Sequence, residues 1–156
     1  AYKSYAGVSD NGCVPHGDVS VKVIYNGATS GKNLINVGLA GFSKPYHATL
    51  SINSNGPCVA KFQRTVNRII GEEILKVDGK FKKKDSDAAA KIQNWLQYDG
   101  LGLDVEGYPK NISGYDKPPK HIYMTVNGKV DILTWAAIER ADDLKIFLRD
   151  SLRAIK

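Results

Sequence analysis

The chain has 156 residues, of which 42% are hydrophobic, so it can form the core of one or two compact units. No segment is apolar enough to cross a bilayer, and we expect no membrane insertion. The net charge of +6 favours anionic partners such as wall polymers, nucleic acid or acidic lipid, without choosing among them.

The N-terminal part of the chain, residues 1–48, has the composition of β-strands. Residues 19–25 and 34–42 are rich in branched side chains, and turn signals containing Asn, Ser and Gly separate them, which is typical of a hairpin. Residues 45–52 form a third candidate strand. No known family is evident in this β-rich region, and we assign it no chemistry by itself.

A first helix is predicted to begin at Gly56-Pro57, because proline fits the first helical turn, where its missing N–H is not needed. Apolar residues then recur at three- and four-residue steps until Gly71, which is a plausible C-terminal stop. The members of this stripe are Val59, Phe62, Val66 and Ile69.

Two further helices are predicted after turns of the same kind. The Asp78-Gly79 turn precedes a helix for which Asp85 or Ser86 is the predicted N-cap. The Asn127-Gly128 turn precedes a short helix in which Thr134 can cap. Near the end of the chain, residues 142–155 have the pattern of an additional amphipathic helix, and its expected role is packing.

These three helical segments, taken in order, resemble the peptidoglycan-binding domain of the three-helix type. The matching positions are Gly56, Val59, Phe62, Gln63, Val66 and Asn67 in the first segment, Val77, Asp78, Gly79, Phe81, Ala88 and Gln93 in the second, and Thr134, Trp135, Ala137 and Ile138 in the third. The resemblance covers about residues 50–141, with residues 104–125 interposed as an insertion that the family does not have. It implies three short helices around one core and a role in binding the bacterial cell wall.

The sequence and the resemblance together predict an α+β protein. A short β-rich region, residues 1–48, is expected to pack on a peptidoglycan-binding-like helical module, residues 49–156. That module would carry an inserted loop at residues 104–125 and an extra C-terminal helix. Its expected activity is binding, either as a free-standing wall-binding protein or as the wall-targeting part of a lytic enzyme.

The two cysteines, Cys13 and Cys58, are expected to form a disulfide, because the resemblance is to an extracellular module. Such a bond would join the N-terminal region to the start of the first helix and stabilise the fold by about 3 to 4 kcal/mol. The alternative is two buried free thiols in a cytoplasmic protein. Because we expect the disulfide, we also expect a secreted protein.

Ligand contacts are expected mainly in the insertion. Tyrosine rings there offer flat amphipathic surfaces for sugars or peptide stems, and basic side chains can meet the carboxylates of a wall peptide. The predicted ligand-binding residues are Tyr108, Tyr115, Lys117, His121 and Tyr123. The densest basic run, residues 80–84, is either a solvated loop or a further contact for anions.

The alternative function is a small hydrolase acting on peptidoglycan or on phosphodiesters. His47 and His121 resemble the paired histidine motifs of two-histidine phosphoesterases, in which one imidazole is the general base and the other the general acid. The second motif has Tyr123 where Ser or Thr is expected, so both histidines can equally be ordinary strand residues. Carboxylates around the insertion offer no spacing that singles out a glycosidase pair.

Several classes of site are excluded because the sequence lacks their motifs. No zinc-ligand spacing, glycine-rich phosphate loop or basic stripe with stacking aromatic residues is present in the sequence. We therefore expect no metal, no cofactor and no nucleic-acid partner, and we expect a monomer.

Overall fold

The computed structural model describes residues 7–25, 42–96, 101–106, 121–123 and 125–143. Three predicted features lie wholly or largely outside the described residues. They are the strand at residues 34–42, most of the insertion, and all but the first two residues of the additional C-terminal helix.

The described strands form an antiparallel sheet of four in the order β2-β1-β3-β4. β1 is Gly17–Tyr25, β2 is Phe42–Tyr46, β3 is Leu101–Glu106 and β4 is His121–Tyr123. The predicted strand at residues 19–25 is present, whereas β2 joins the end of the predicted strand 34–42 to the start of the predicted strand 45–52. Residues 47–49 are irregular, and Leu50 makes only an isolated bridge with Val130.

The sheet joins the N-terminal region to the insertion. β1 is paired on both sides. Its Gly17 lies opposite Tyr46 of β2, and its Ser20 lies opposite Glu106 of β3. β3 in turn pairs with β4 through Asp104 and His121. The two ends of the insertion, predicted as a loop, are therefore strands that extend the N-terminal sheet.

Local signals set both ends of the first of the three described helices. α1 is Pro57–Ile70, with proline in its first turn, and it ends at Gly71, whose φ of 84° lies in the left-handed region. α2 is Lys83–Leu96 and α3 is Ile132–Asp143.

The predicted caps of α2 and α3 are wrong in detail. Asp85 lies in the first turn of α2, where its Oδ2 accepts the Lys82 N–H at 2.8 Å. α3 is capped by Asp131, whose Oδ1 accepts the Thr134 N–H at 2.9 Å. In both helices a carboxylate satisfies a backbone donor of the first turn, but from different positions.

The core lies between the helices and takes in the aromatic residues that the sequence placed on their apolar faces. Phe62 and Trp135 are fully buried, with ring centroids 6.4 Å apart, and Phe81 packs 5.5 Å from Phe62. Tyr46 of β2 belongs to the same buried cluster. The sheet edge therefore packs on the helices, and the α+β class predicted from the sequence is confirmed.

A disulfide between Cys13 and Cys58 ties the N-terminal segment to the first turn of α1, as expected. Two backbone hydrogen bonds hold the same segment, from Val8 N–H to the Val77 carbonyl and from His16 N–H to the Tyr46 carbonyl. A bond that spans 45 residues stabilises a fold by about 4 kcal/mol through the entropy of the unfolded chain.

Candidate binding site

The loop after α1 is held by one buried glutamine. Gln63 Oε1 accepts the N–H groups of Asp78 and Gly79 at 3.1 and 3.0 Å. Its Nε2 donates to the Asp78 carboxylate, the Lys80 carbonyl and the Asp85 carboxylate at 3.0, 3.2 and 3.0 Å. This amide therefore fixes both the Asp-Gly turn and the start of α2.

The loop before α3 is held in the same way by Gln93. Its Oε1 accepts the N–H groups of Asn127 and Gly128 at 3.1 and 3.0 Å. Its Nε2 donates to Asn127 Oδ1, the Lys129 carbonyl and Thr134 Oγ1 at 3.2, 2.7 and 2.9 Å. The two halves of the helical module are thus an internal structural repeat.

This repeat can be seen in the sequence once Gln63 and Gln93 are known to hold the two turns. Val-Asp-Gly-Lys at residues 77–80 corresponds to Val-Asn-Gly-Lys at residues 126–129. The signal was missed because the insertion gives the two copies different spacing from their glutamines. The first copy differs chemically from the second, since it places two carboxylates, Asp78 and Asp85, against one amide.

The two carboxylates of the first copy have pKa values displaced in opposite directions. Burial raises the pKa of Asp85, and the charge of Asp78 adds to that effect, against hydrogen bonds from the Lys82 N–H and Gln63. Partial burial also acts on Asp78, but hydrogen bonds from the Lys80 N–H and Gln63, with the charge of Lys82, hold its pKa below the ordinary value. A proton taken up by the pair therefore goes first to Asp85.

We predict that Asp85→Asn changes the pH dependence of stability. Because the folded pKa of Asp85 is raised, the folded state holds this proton more tightly than the unfolded chain. The quantity to compare is the free energy of unfolding of the wild type minus that of Asp85→Asn. This difference should fall as pH rises from the ordinary aspartate pKa of 3.8 through the raised pKa of Asp85, and then level off. Urea unfolding at a series of pH values measures this difference.

The control for that prediction is Asp87→Asn, in the same turn of α2, where the carboxylate is exposed and pairs with Lys83 at 3.1 Å. Its stability difference from the wild type should not show the same fall. Parallel pH profiles for wild type and Asp85→Asn would mean that Asp85 ionises in the fold as freely as in the unfolded chain.

A cleft of about 450 Å³ opens beside the loop that Gln63 holds. Its walls are the chain before α1, residues 53–56, and the loop at residues 78–82, joined by backbone hydrogen bonds. The Asn53 N–H donates to the Phe81 carbonyl at 3.0 Å, and the Gly56 N–H donates to the Gly79 carbonyl at 2.8 Å. The lining residues are Val8, Asn53, Ser54, Asn55, Gly56, Asp78, Gly79, Lys80, Phe81 and Lys82.

The cleft offers mixed chemistry on a fixed backbone. Lys80 and Lys82 are exposed cations, Asn53 and Asn55 are exposed amides, and Val8 is an exposed apolar side chain. Amides can hydrogen-bond hydroxyl and peptide groups, while the ammonium groups can meet carboxylates. Such a lining suits a polar ligand with an anionic group better than an apolar one. The sequence indicated the basic run at residues 80–84 as a candidate anion contact, but it did not indicate Asn53 and Asn55.

Most of the predicted ligand-binding residues lie outside the described part of the chain. Tyr108, Tyr115 and Lys117 belong to residues 107–120, and the side chains of His121 and Tyr123 also fall outside the description. The backbone of the last two residues lies in β4, on the outer edge of the sheet. Their assignment to a ligand stays a prediction.

His47, the other catalytic candidate, is buried and has both ring nitrogens in contact. Its Nε2 lies 3.1 Å from Glu139 Oε1, and its Nδ1 lies 3.2 Å from Cys13 Sγ. Its ring also packs on Trp135, with centroids 4.7 Å apart. His47 follows β2 and His121 lies in β4, on opposite outer strands of the described sheet, so their pairing in catalysis stays a prediction.

Among the described helices, none combines the length and the apolar character needed to cross a bilayer. No family model matches the chain, and neither the curated proteins nor the solved structures contain a significant match.

Proposed function

We propose that this chain is a secreted, non-catalytic protein that binds the bacterial cell wall, with peptidoglycan as its ligand. The observation that carries the proposal is the cleft of about 450 Å³ beside the Asp78-Gly79 turn, which is lined by exposed cations and amides. Peptidoglycan offers sugar hydroxyls, peptide groups and free carboxylates, which are the groups that this lining can bind.

The residues that carry the family resemblance also build this cleft. Gln63, Asp78 and Gly79 are matching positions, and Gln63 fixes the backbone of the turn through two accepted hydrogen bonds. A cleft whose walls are tied by backbone and buried side-chain bonds loses little conformational entropy when a ligand binds. The backbone of the site is therefore preorganised for a ligand.

Secretion is supported by the Cys13–Cys58 disulfide, because such bonds persist in oxidising surroundings. The net charge of +6 adds a long-range attraction for an anionic wall. In this proposal the tyrosines and Lys117 of the insertion, with His121 and Tyr123, form a second contact surface for the same polymer.

The test is sedimentation of the purified chain with insoluble peptidoglycan. We predict that the double variant Lys80→Gln and Lys82→Gln binds about tenfold more weakly than the wild type, since two charge-assisted contacts are removed. The charge-matched control is Lys91→Gln with Lys129→Gln, which replaces two exposed lysines outside the cleft. Lys129 is the counterpart of Lys80 in the second repeat.

The control variant should retain nearly the affinity of the wild type at about physiological salt. Equal weakening of both double variants would reduce the binding to nonspecific charge attraction. Soluble reducing sugar or free amine in the supernatant would instead make the chain a wall hydrolase.

A further inference from the structure

Three metal-ligating groups from distant parts of the chain meet beside the helical core. The Sγ atoms of Cys13 and Cys58 and the Nδ1 atom of His47 all lie within 4.8 Å of one another. In a tetrahedral zinc site with bonds of about 2.0 to 2.3 Å, ligand atoms lie about 3.3 to 3.8 Å apart. The 3.2 Å between His47 Nδ1 and Cys13 Sγ approaches this spacing, whereas the two sulfurs, joined as a disulfide, must separate to reach it.

The partner of His47 fixes which ring nitrogen faces the sulfurs. Glu139 Oε1 lies 3.1 Å from Nε2, and the side chains of His47 and Glu139 are only 4% and 12% exposed. A carboxylate accepts, so in the neutral form of the ring Nε2 carries the proton and Nδ1 directs its lone pair towards Cys13 Sγ. This arrangement, a carboxylate behind a histidine, orients the ring as metal sites require.

The surroundings also suit the thiolate form of the cysteines. Cys58 lies in the first turn of α1, which contains no acidic residue, and the positive end of the helix dipole stabilises an anion there. Cys13 lies in an irregular segment, and both cysteines are half-buried. A fourth ligand position can therefore be filled by water from solvent.

We propose that Cys13, Cys58 and His47 form a zinc site when the disulfide is reduced, with Glu139 as the residue that positions His47. An external dithiol supplies two electrons and two protons, its own sulfurs become a disulfide, and the Cys13–Cys58 bond is broken to give two thiols. Zinc then displaces the two thiol protons and binds two sulfurs and Nδ1. The N-terminal segment thus stays attached to α1 in either state, by a covalent bond or by the metal.

This proposal is independent of cell-wall binding, because the cluster shares no residue with the cleft. Its ligands come from a loop, the end of a strand and a helix, with no local spacing that indicates a metal. For that reason the sequence predicted none.

The test begins with the full chain reduced by a phosphine under argon and then freed of reductant. Titration with Co²⁺ should give one equivalent bound, with visible bands of a four-coordinate site and a thiolate charge-transfer band. Competition with Zn²⁺ should give a dissociation constant of about 1 μM or lower. Zn²⁺ should also raise the melting temperature of the reduced protein and leave that of the oxidised protein unchanged.

Two variants separate a native site from loose binding to free thiols. The Co²⁺ form of His47→Gln should lose the four-coordinate spectrum. Glu139→Gln should keep that spectrum but bind Zn²⁺ about 10- to 100-fold more weakly than the wild type. The oxidised protein is the matched control for metal binding elsewhere on the chain. The proposal is overturned if reduced wild type and His47→Gln bind Co²⁺ alike, or if Zn²⁺ fails to raise the melting temperature of the reduced protein.

Discussion

Replacing Gln63 with glutamate should destabilise the fold by about 3 to 5 kcal/mol, whereas the same change at Gln93 should cost about 1 to 3 kcal/mol. Both variants lose an amide that donates three hydrogen bonds in the wild type. The difference arises from the partners. At position 63 a new carboxylate would face Asp78 and Asp85, whose nearest oxygens lie 3.0 Å from the wild-type nitrogen.

The partners of Gln93 can adapt to a carboxylate. Asn127 can turn its amide to donate, at the loss of the bond that its Oδ1 accepts from the Lys129 N–H, and the Thr134 hydroxyl can turn away from Asp131 Oδ1 to do the same. Neither carries a charge. Ionised aspartates have no hydrogen to offer, so three carboxylates at the first site must take up a proton or separate.

Urea unfolding at about pH 7 and about pH 4.5 measures both effects. A third carboxylate raises the folded pKa values of the cluster, so the stability of Gln63→Glu should recover as pH falls, relative to Gln93→Glu. Gln63→Leu and Gln93→Leu remove the amides without adding charge, so their difference in stability should be smaller than that of the two glutamate variants. Equal losses for the two glutamate variants would show that Asp78 and Asp85 are not charged together.

The sequence was sufficient for the helices because their signals are local. Pro57 and Gly71 bound α1 where the pattern predicted, and Phe62 and Trp135 are core residues on the expected faces. The cap positions were misplaced because Asp, Ser and Thr can each satisfy a helix start from more than one position. Only the hydrogen bonds distinguish Asp131 as the cap from Thr134, three residues later.

The sheet and the histidine cluster could not be predicted, because their contacts join distant residues. β1 pairs with β3 across α1 and α2, and nothing in either strand specifies that partner. His47 meets Cys13 and Glu139 at separations of 34 and 92 residues. Periodicity reports which face of an element is buried, but it does not report which other element covers that face.

The two turn glycines of the repeat provide the second large effect. Gly79 and Gly128 both have φ of 72°, a left-handed conformation that disfavours any side chain. A Cβ at Gly79 would lie 3.3 Å from the Gly56 carbonyl oxygen, which is tight but tolerable. A Cβ at Gly128 would collide with Ser86 Oγ and lie 3.2 Å from the Ser86 carbonyl oxygen.

We therefore expect Gly128→Ala to cost about 3 to 4 kcal/mol and Gly79→Ala about 1 to 2 kcal/mol in free energy of unfolding. Backbone strain is common to both variants, so the excess at Gly128 measures the collision. Chemical denaturation of the two variants at one pH gives both values.

Ser86→Ala separates the collision from the strain. In the wild-type background this change removes the hydrogen bond from Ser86 Oγ to the Gly128 carbonyl at 3.0 Å and should cost about 1 kcal/mol. Combined with Gly128→Ala it also removes the colliding atom, so the pair should couple by about 1 kcal/mol or more, while no coupling is expected with Gly79→Ala. If the two glycine variants lose equal stability, the Ser86 hydroxyl must turn aside at little cost.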